Sequence, residues 1–136
     1  DMYYKGANML HTLRQLVEDD EKWRQILRNI NKDFYHQTVT SEQIEQYLSD
    51  KTEKDLSAFF DQYLRTTMIP KLEYKLENGS ITYRYVDIVE GFDMPIRVWE
   101  GDMEKWLFPS AQWKTESING TQLKIDRNFY IETEQL

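Results

Sequence analysis

The side chains able to do chemistry in this chain are few. Its only histidines are His11 and His36, and it has no cysteine. The two fall on different predicted helices, and their spacing matches no zinc pattern, which gathers three or four nitrogen, sulfur or oxygen ligands. No metal site is expected within the chain. His11, next to the apolar pair Met9-Leu10, reads as a hydrogen-bonded border residue. The run Glu18-Asp19-Asp20-Glu21 has carboxylates but lacks the alternating oxygen ligands and central glycine of a calcium loop. The start of a helix, whose dipole favours anions, explains it better. Tyr3, Tyr4, Lys5 and Gly6 open the chain. A phenol with a pKa of about 10 is neutral at physiological pH, so it can donate a hydrogen bond to an oxygen that gains charge in a reaction. It can equally be an aromatic staple at a helix start. Gly6 is expected to let the chain enter the helix tightly against neighbouring backbone. Lys5 reads as a solvated lysine at the helix end.

Periodicity supplies the elements that must position these groups. Met9, Leu10, Leu13, Leu16 and Val17 form one stripe of a first helix. Trp23, Ile26, Leu27, Ile30 and Phe34 form the stripe of a second, over 20–35. Thr40-Ser41-Glu42-Gln43 is a capping-box pattern that starts a third, with Ile44, Tyr47 and Leu48 inward. A fourth is expected from Thr52, carrying Leu56, Phe59, Phe60, Tyr63 and Leu64. Pro70 ends the helical half, because the residue before a proline is pushed out of the helical region. Beyond it the grammar changes. Residues 71–77 alternate, with Leu72, Tyr74 and Leu76 on one face. Asn78-Gly79 is a hairpin signal, and 80–89 returns as the partner strand. Shorter strands are expected at 96–100, 106–108 and 112–117, and a second hairpin at Asn119-Gly120 leads into 123–133. The chain therefore reads as α+β: an N-terminal bundle of about four short helices over 1–69, then a small antiparallel β-sandwich over 70–136.

Composition narrows the function classes. A net charge of -7 and a pI near 4.9 argue against a nucleic-acid surface, which needs a basic stripe. No apolar run approaches the ~20 residues of a membrane span. The absence of cysteine leaves the compartment open, since it suits secreted, periplasmic and cytoplasmic proteins alike.

Three stretches carry a family resemblance. Tyr3-Tyr4-Lys5-Gly6-Ala7, followed by Leu10 and Leu13-Arg14, resembles the Tyr-x-Lys-Gly-Ala helix of the zinc metalloaminopeptidases of the aminopeptidase N (gluzincin) type. Asp55-Leu56, then Phe59-Phe60-Asp61-Gln62-Tyr63-Leu64 and Pro70, looks like the end of that family's helical part. The family usually has tryptophan where Tyr63 stands and glycine where Met68 stands. Phe92-Asp93-Met94-Pro95 is similar to the Phe-x-x-Pro segment of the sandwich that follows. The resemblance covers nearly the whole chain in order and is weakest beyond residue 118. It implies that Tyr3, two residues before the lysine, is catalytic and steadies the oxyanion of the tetrahedral intermediate; Tyr4, one place off, is packing.

The resemblance also implies that the His-Glu-x-x-His motif and third zinc ligand lie upstream of this chain. The chain would be the end of a catalytic domain plus the following sandwich. The parent enzyme would remove N-terminal residues from peptides with zinc as cofactor, and would meet its peptide substrate through the upstream half. This chain alone would hold no zinc and show no peptidase activity. An uncovered apolar patch near Tyr3, Met9 and Leu13 is then expected, with self-association through that helix face. Two readings of other classes stand beside it. One is a non-catalytic interaction module made of the helical lobe and the sandwich. The other is a sugar-binding sandwich using Trp99, Trp106, Trp113, Tyr83, Tyr85 and Tyr130, although such aromatics also make sandwich cores.

Overall fold

Each predicted apolar stripe winds into a helix, and local devices set where each helix starts and stops. The computed structural model describes residues 2–35, 38, 40–120 and 122–136, the side chains of 2–5 excepted. The helices are α1 (Met2–Val17), α2 (Asp20–Asp33), α3 (Ser41–Thr52) and α4 (Ser57–Arg65). Glu18, left-handed at φ 61°, turns the chain out of α1. The Asp19 carboxylate then accepts from the Lys22 amide at 3.0 Å and caps α2, the role expected of the acidic run. At α3, the Thr40 hydroxyl accepts from the Gln43 amide at 3.2 Å, and Gln43 Oε1 accepts from the Thr40 amide at 2.8 Å. Helix α4 starts later than expected. Thr52 donates its hydroxyl to Leu48 O at 2.7 Å and stays in α3, and Glu53 ends that helix at φ 58°. Tyr47 braces α3 on α2 by donating to Asp33 Oδ2 at 2.9 Å; burial and that carboxylate push its phenol up to about 12.

The second half forms two sheets. Strands β1 (Lys71–Glu77), β2 (Ser80–Val86), β3 (Ile96–Glu100), β4 (Met103–Leu107), β5 (Lys114–Ser117), β6 (Lys124–Ile125) and β7 (Glu132–Gln135) pair in the orders β5-β2-β1-β7 and β4-β3-β6. The Asn78-Gly79 hairpin is present, with φ 51° and 75° at the two turn residues and Glu77 opposite Ser80. Along β2, Ile81, Tyr83 and Tyr85 point into the core in strict alternation. The architecture is the expected α+β one, with differences of detail: the strands expected over 106–108 and 112–117 lie at Met103–Leu107 and Lys114–Ser117, and three connections differ. Gly101, at φ 61°, turns β3 into β4 in a hairpin beyond those marked by Asn-Gly pairs. Asn119-Gly120 does not close a hairpin: β5 pairs with β2, whereas β6 pairs with β3, so this turn carries the chain from one sheet to the other. The expected strand over 123–133 is broken into β6 and β7, and β7 lies parallel to β1. All other pairings are antiparallel, as expected.

One hydrophobic cluster runs through both halves, from Leu13, Leu16, Phe59, Phe60 and Tyr63 to Leu72, Ile81, Tyr85, Ile96 and Val98. The expected uncovered patch at Met9 and Leu13 is therefore not found. These residues are 7% and 0% exposed, because apolar side chains of this same chain cover them. Leu10, one position round the helix, stays 40% exposed.

Gln62 on α4 explains why β2 stops at Val86 and not at residue 89. Asp87 turns left-handed at φ 59°. The wholly buried Gln62 amide then replaces a strand partner, donating to Asp87 O at 3.0 Å and Met68 O at 3.1 Å and accepting from the Val89 amide at 2.7 Å. Gln62→Leu keeps the volume but strands these backbone groups, each worth ~1–3 kcal/mol when left unpaired. A stability loss of roughly 3 kcal/mol is expected from urea titration; a loss below about 0.5 kcal/mol, the size of an ordinary surface substitution, would contradict this role.

Candidate functional site

Beside its apolar stripe, α1 carries a second stripe that is polar. His11 and Gln15 recur at helical spacing, with Thr12 next to His11 and Glu18 just past the end of the helix, and all four reach the sandwich. His11 Nε2 donates to Asn128 Oδ1 at 3.0 Å. The buried Thr12 hydroxyl donates to Asn8 O at 2.8 Å and accepts from the Tyr130 amide at 2.9 Å. Gln15 Oε1 accepts from Arg97 at 2.6 Å, and the Glu18 carboxylate lies 3.7 Å from the same guanidinium.

Arg97 on β3 is the hub of the opposing surface. Its Nε donates to Asp126 Oδ2 at 2.9 Å, and its Nη2 lies 2.9 Å from the same oxygen. Glu104 lies 3.6 Å away, and the guanidinium packs on the faces of Trp99 and Trp106, 5.7 and 5.5 Å from their ring centroids. The Asp126 side chain is only 2% exposed, and its Oδ1 accepts from the Asn128 amide at 2.9 Å. That turn shapes the irregular stretch 126–130, which presents Asn128 and Tyr130 to α1. On the other side Tyr63 of α4 donates its hydroxyl to Tyr130 O at 2.7 Å. Burial raises the Tyr63 phenol, with Tyr130 adding to the shift, so it remains a donor at physiological pH. The sequence reading singled out none of Arg97, Asp126, Gln15 and Asn128. The signal available was the recurrence of polar side chains at 11, 15 and 18 beside an apolar stripe.

Tyr3 lies in the first turn of α1; its side chain, like those of Tyr4 and Lys5, is outside the described set. Gly6 is not at the entry to the helix, because α1 begins at Met2. A β-carbon there would meet nothing within 4 Å among the described residues, so none of these makes the expected tight approach. His36 lies outside the described residues. Among those described, no group of three His, Cys, Asp or Glu is placed to hold a metal ion, and His11 is engaged by Asn128. The described residues therefore do not fit a zinc centre. Nor is any described helix long and apolar enough to cross a membrane. Of the six aromatics considered for a sugar platform, Tyr83 and Tyr85 are sealed in the core, bonded to the Glu116 carboxylate and Met94 O. Trp113 is exposed and carries Arg84 over its ring.

A cleft of about 440 Å³ opens where the two halves meet, with Leu16, Phe59, Phe92, Met94 and Trp106 among its lining residues and Lys54, Asp55 and Asp93 contributing charge. It lies by the C-terminal end of α1. At 1.5 Å rise per residue, Leu16 stands roughly 20 Å along the helix from Tyr3, so the cleft is not the site of any chemistry at that phenol.

No protein-family model and no curated protein matches this sequence. Among solved structures, the chain is similar to Legionella pneumophila aminopeptidase A in complex with aspartic acid, with a TM-score of 0.72 and 18% identity. The match covers 96% of this chain and 17% of that one, so the chain spans about a sixth of that protein's length. At this identity the likeness is one of fold: the helices and two sheets have an aminopeptidase-like arrangement.

The Arg97–Asp126 pair should dominate the stability of this border. Asp126→Ala removes the carboxylate that holds both the guanidinium and the 126–130 turn, and leaves a largely buried cation short of its best partner. The expected loss is roughly 2–4 kcal/mol by denaturant titration, with Asp126→Asn less costly because it keeps an acceptor. Near-native stability of Asp126→Ala would show that the pair is not holding the border.

Proposed function

We propose that this chain is part of a zinc metalloaminopeptidase of the aminopeptidase N type, which removes N-terminal residues from peptides. Residues 1–69 would be the end of the catalytic domain and 70–136 the β-sandwich that follows it. The observation that carries this reading is the placement of Tyr3-Tyr4-Lys5-Gly6-Ala7 in the opening turns of α1, in a chain whose fold resembles part of an aminopeptidase. The described residues do not fit a zinc centre, so the reading assigns the metal, its ligands and the general base to protein preceding Asp1.

The contribution of this chain is then one phenol on a braced helix. As the peptide carbonyl becomes tetrahedral, its oxygen gains charge. The Tyr3 hydroxyl donates a hydrogen bond to that oxygen and keeps its own proton, since a phenol is a poor acid at neutral pH. Such a donor, fixed beforehand in a site shielded from water, is worth ~3 kcal/mol of barrier.

The test uses the full-length protein with leucine, alanine and aspartate 4-nitroanilides. The aspartyl substrate is included because the structural neighbour was solved with aspartic acid. Tyr3→Phe is expected to lower kcat by about 100- to 1000-fold and to leave KM nearly unchanged. A kcat within about twofold of wild type would remove Tyr3 from the mechanism.

A further inference from the structure

We infer that Arg97, with Gln15 and Asn128, is a positioning device: the sandwich grips α1 along residues 11–18 and thereby sets where the first turn of that helix carries Tyr3. This rests on the reading of Tyr3 given above and adds to it a catalytic duty for the β-sandwich.

The geometry is that of a lever gripped near its C-terminal end. Among the described residues, His11, Thr12 and Gln15 in the C-terminal half of α1, and Glu18 just past its end, reach the sandwich. Gln15 stands roughly 18 Å along the axis from Tyr3, at 1.5 Å rise per residue. A tilt of about 5° at the grip therefore moves the first turn by about 1.5 Å. A displacement of that size can cost on the order of 100-fold in rate where a reacting group must be aligned.

Apolar packing alone does not fix such a tilt well. The packing of Met9, Leu13 and Leu16 sets how deeply the helix sits, whereas apolar contacts carry less directional preference than hydrogen bonds. Hydrogen bonds do fix direction, since they weaken steeply with angle. The grip is bonded at both levels: Arg97 O accepts from the Asp126 amide at 3.0 Å while its side chain bonds the Asp126 carboxylate and Gln15. Arg97 is itself held in place by the rings of Trp99 and Trp106.

The experiment is a double-mutant cycle in the full-length protein with leucine 4-nitroanilide as probe. Arg97→Met, and the milder Gln15→Met and Asn128→Ala, which leave the Arg97–Asp126 pair intact, are each combined with Tyr3→Phe. The single variants are expected to lower kcat, about tenfold or more for Arg97→Met, with KM within about twofold. In the Tyr3→Phe background they should lower it little further, because a misaimed group that is already missing has nothing left to lose. Gln15→Glu, which still accepts from Arg97, should keep kcat near wild type where Gln15→Met does not. Tyr3→Phe alone tests the phenol; the cycle tests the grip. If Tyr3→Phe lowers kcat but the other variants leave it unchanged, shift only KM, or multiply the Tyr3→Phe loss in full, the positioning role is overturned and the phenol's role stands. If Tyr3→Phe leaves kcat unchanged, both fall. Should Arg97→Met fail to fold, Gln15→Met and Asn128→Ala decide the matter. Amide hydrogen exchange along α1 gives a second reading without activity: all three variants should speed exchange in the first turns of the helix, and unchanged exchange would overturn the proposal.

Discussion

The Arg97–Asp126 pair is the interaction on which the rest of this structure depends. A guanidinium that is 14% exposed and a carboxylate that is 2% exposed have both given up most of their water. That loss is tolerable only because each is met by several partners: rings, a glutamine and further carboxylates around the arginine, and a backbone amide on the far oxygen of the aspartate. The arrangement is costly to form incompletely. It therefore acts as a registration mark, permitting one seating of the helical half on the sandwich and penalising near misses.

The same logic repeats along the border. Buried polar side chains are few among the described residues, and three of them, Thr12, Gln62 and Asp126, lie where the two halves meet. The Thr12 and Gln62 side chains bond main chain far away in sequence, at Tyr130 and at Asp87 and Val89, while the Asp126 carboxylate bonds the nearby Asn128 amide and the distant Arg97 side chain. Tyr63 adds its hydroxyl to Tyr130 O. The irregular stretches 87–89 and 126–130 thus owe their shape to side chains that replace missing strand partners. The apolar cluster supplies most of the driving force, and these bonds choose the orientation.

Much of this architecture can be read from local sequence, and the rest cannot for a physical reason. The stripe of Met9, Leu13 and Leu16, the Thr40–Gln43 box and the Asn78-Gly79 turn each depend on residues a few positions apart, so the signal and its cause lie in the same short stretch. The acidic run at 18–21 is legible as a helix start for the same reason. Asn119-Gly120 shows the limit. The turn propensity is real, but propensity reports a reversal of direction and not which sheet receives the next strand. The parallel placement of β7 depends on pairing with a strand some sixty positions earlier, and no local pattern encodes it.

The candidate site divides along the same line. Tyr3 is visible through its motif, a matter of adjacent residues. The grip on α1 is invisible to that approach, because Gln15, Arg97 and Asp126 are ordinary polar residues until the fold joins them. The patch expected at Met9 and Leu13 is covered for a related reason: the apolar side chains of the other helices close over it, which no reading of α1 alone reveals. If the seam binds the halves as described, they should unfold as one unit. Thermal unfolding followed by far-UV circular dichroism, dominated by the helices, and by tryptophan fluorescence, dominated by Trp99, Trp106 and Trp113 of the sandwich half, tests this directly. The account predicts superimposable transitions with a single midpoint. Helical signal lost at one temperature and sandwich fluorescence at another would contradict it.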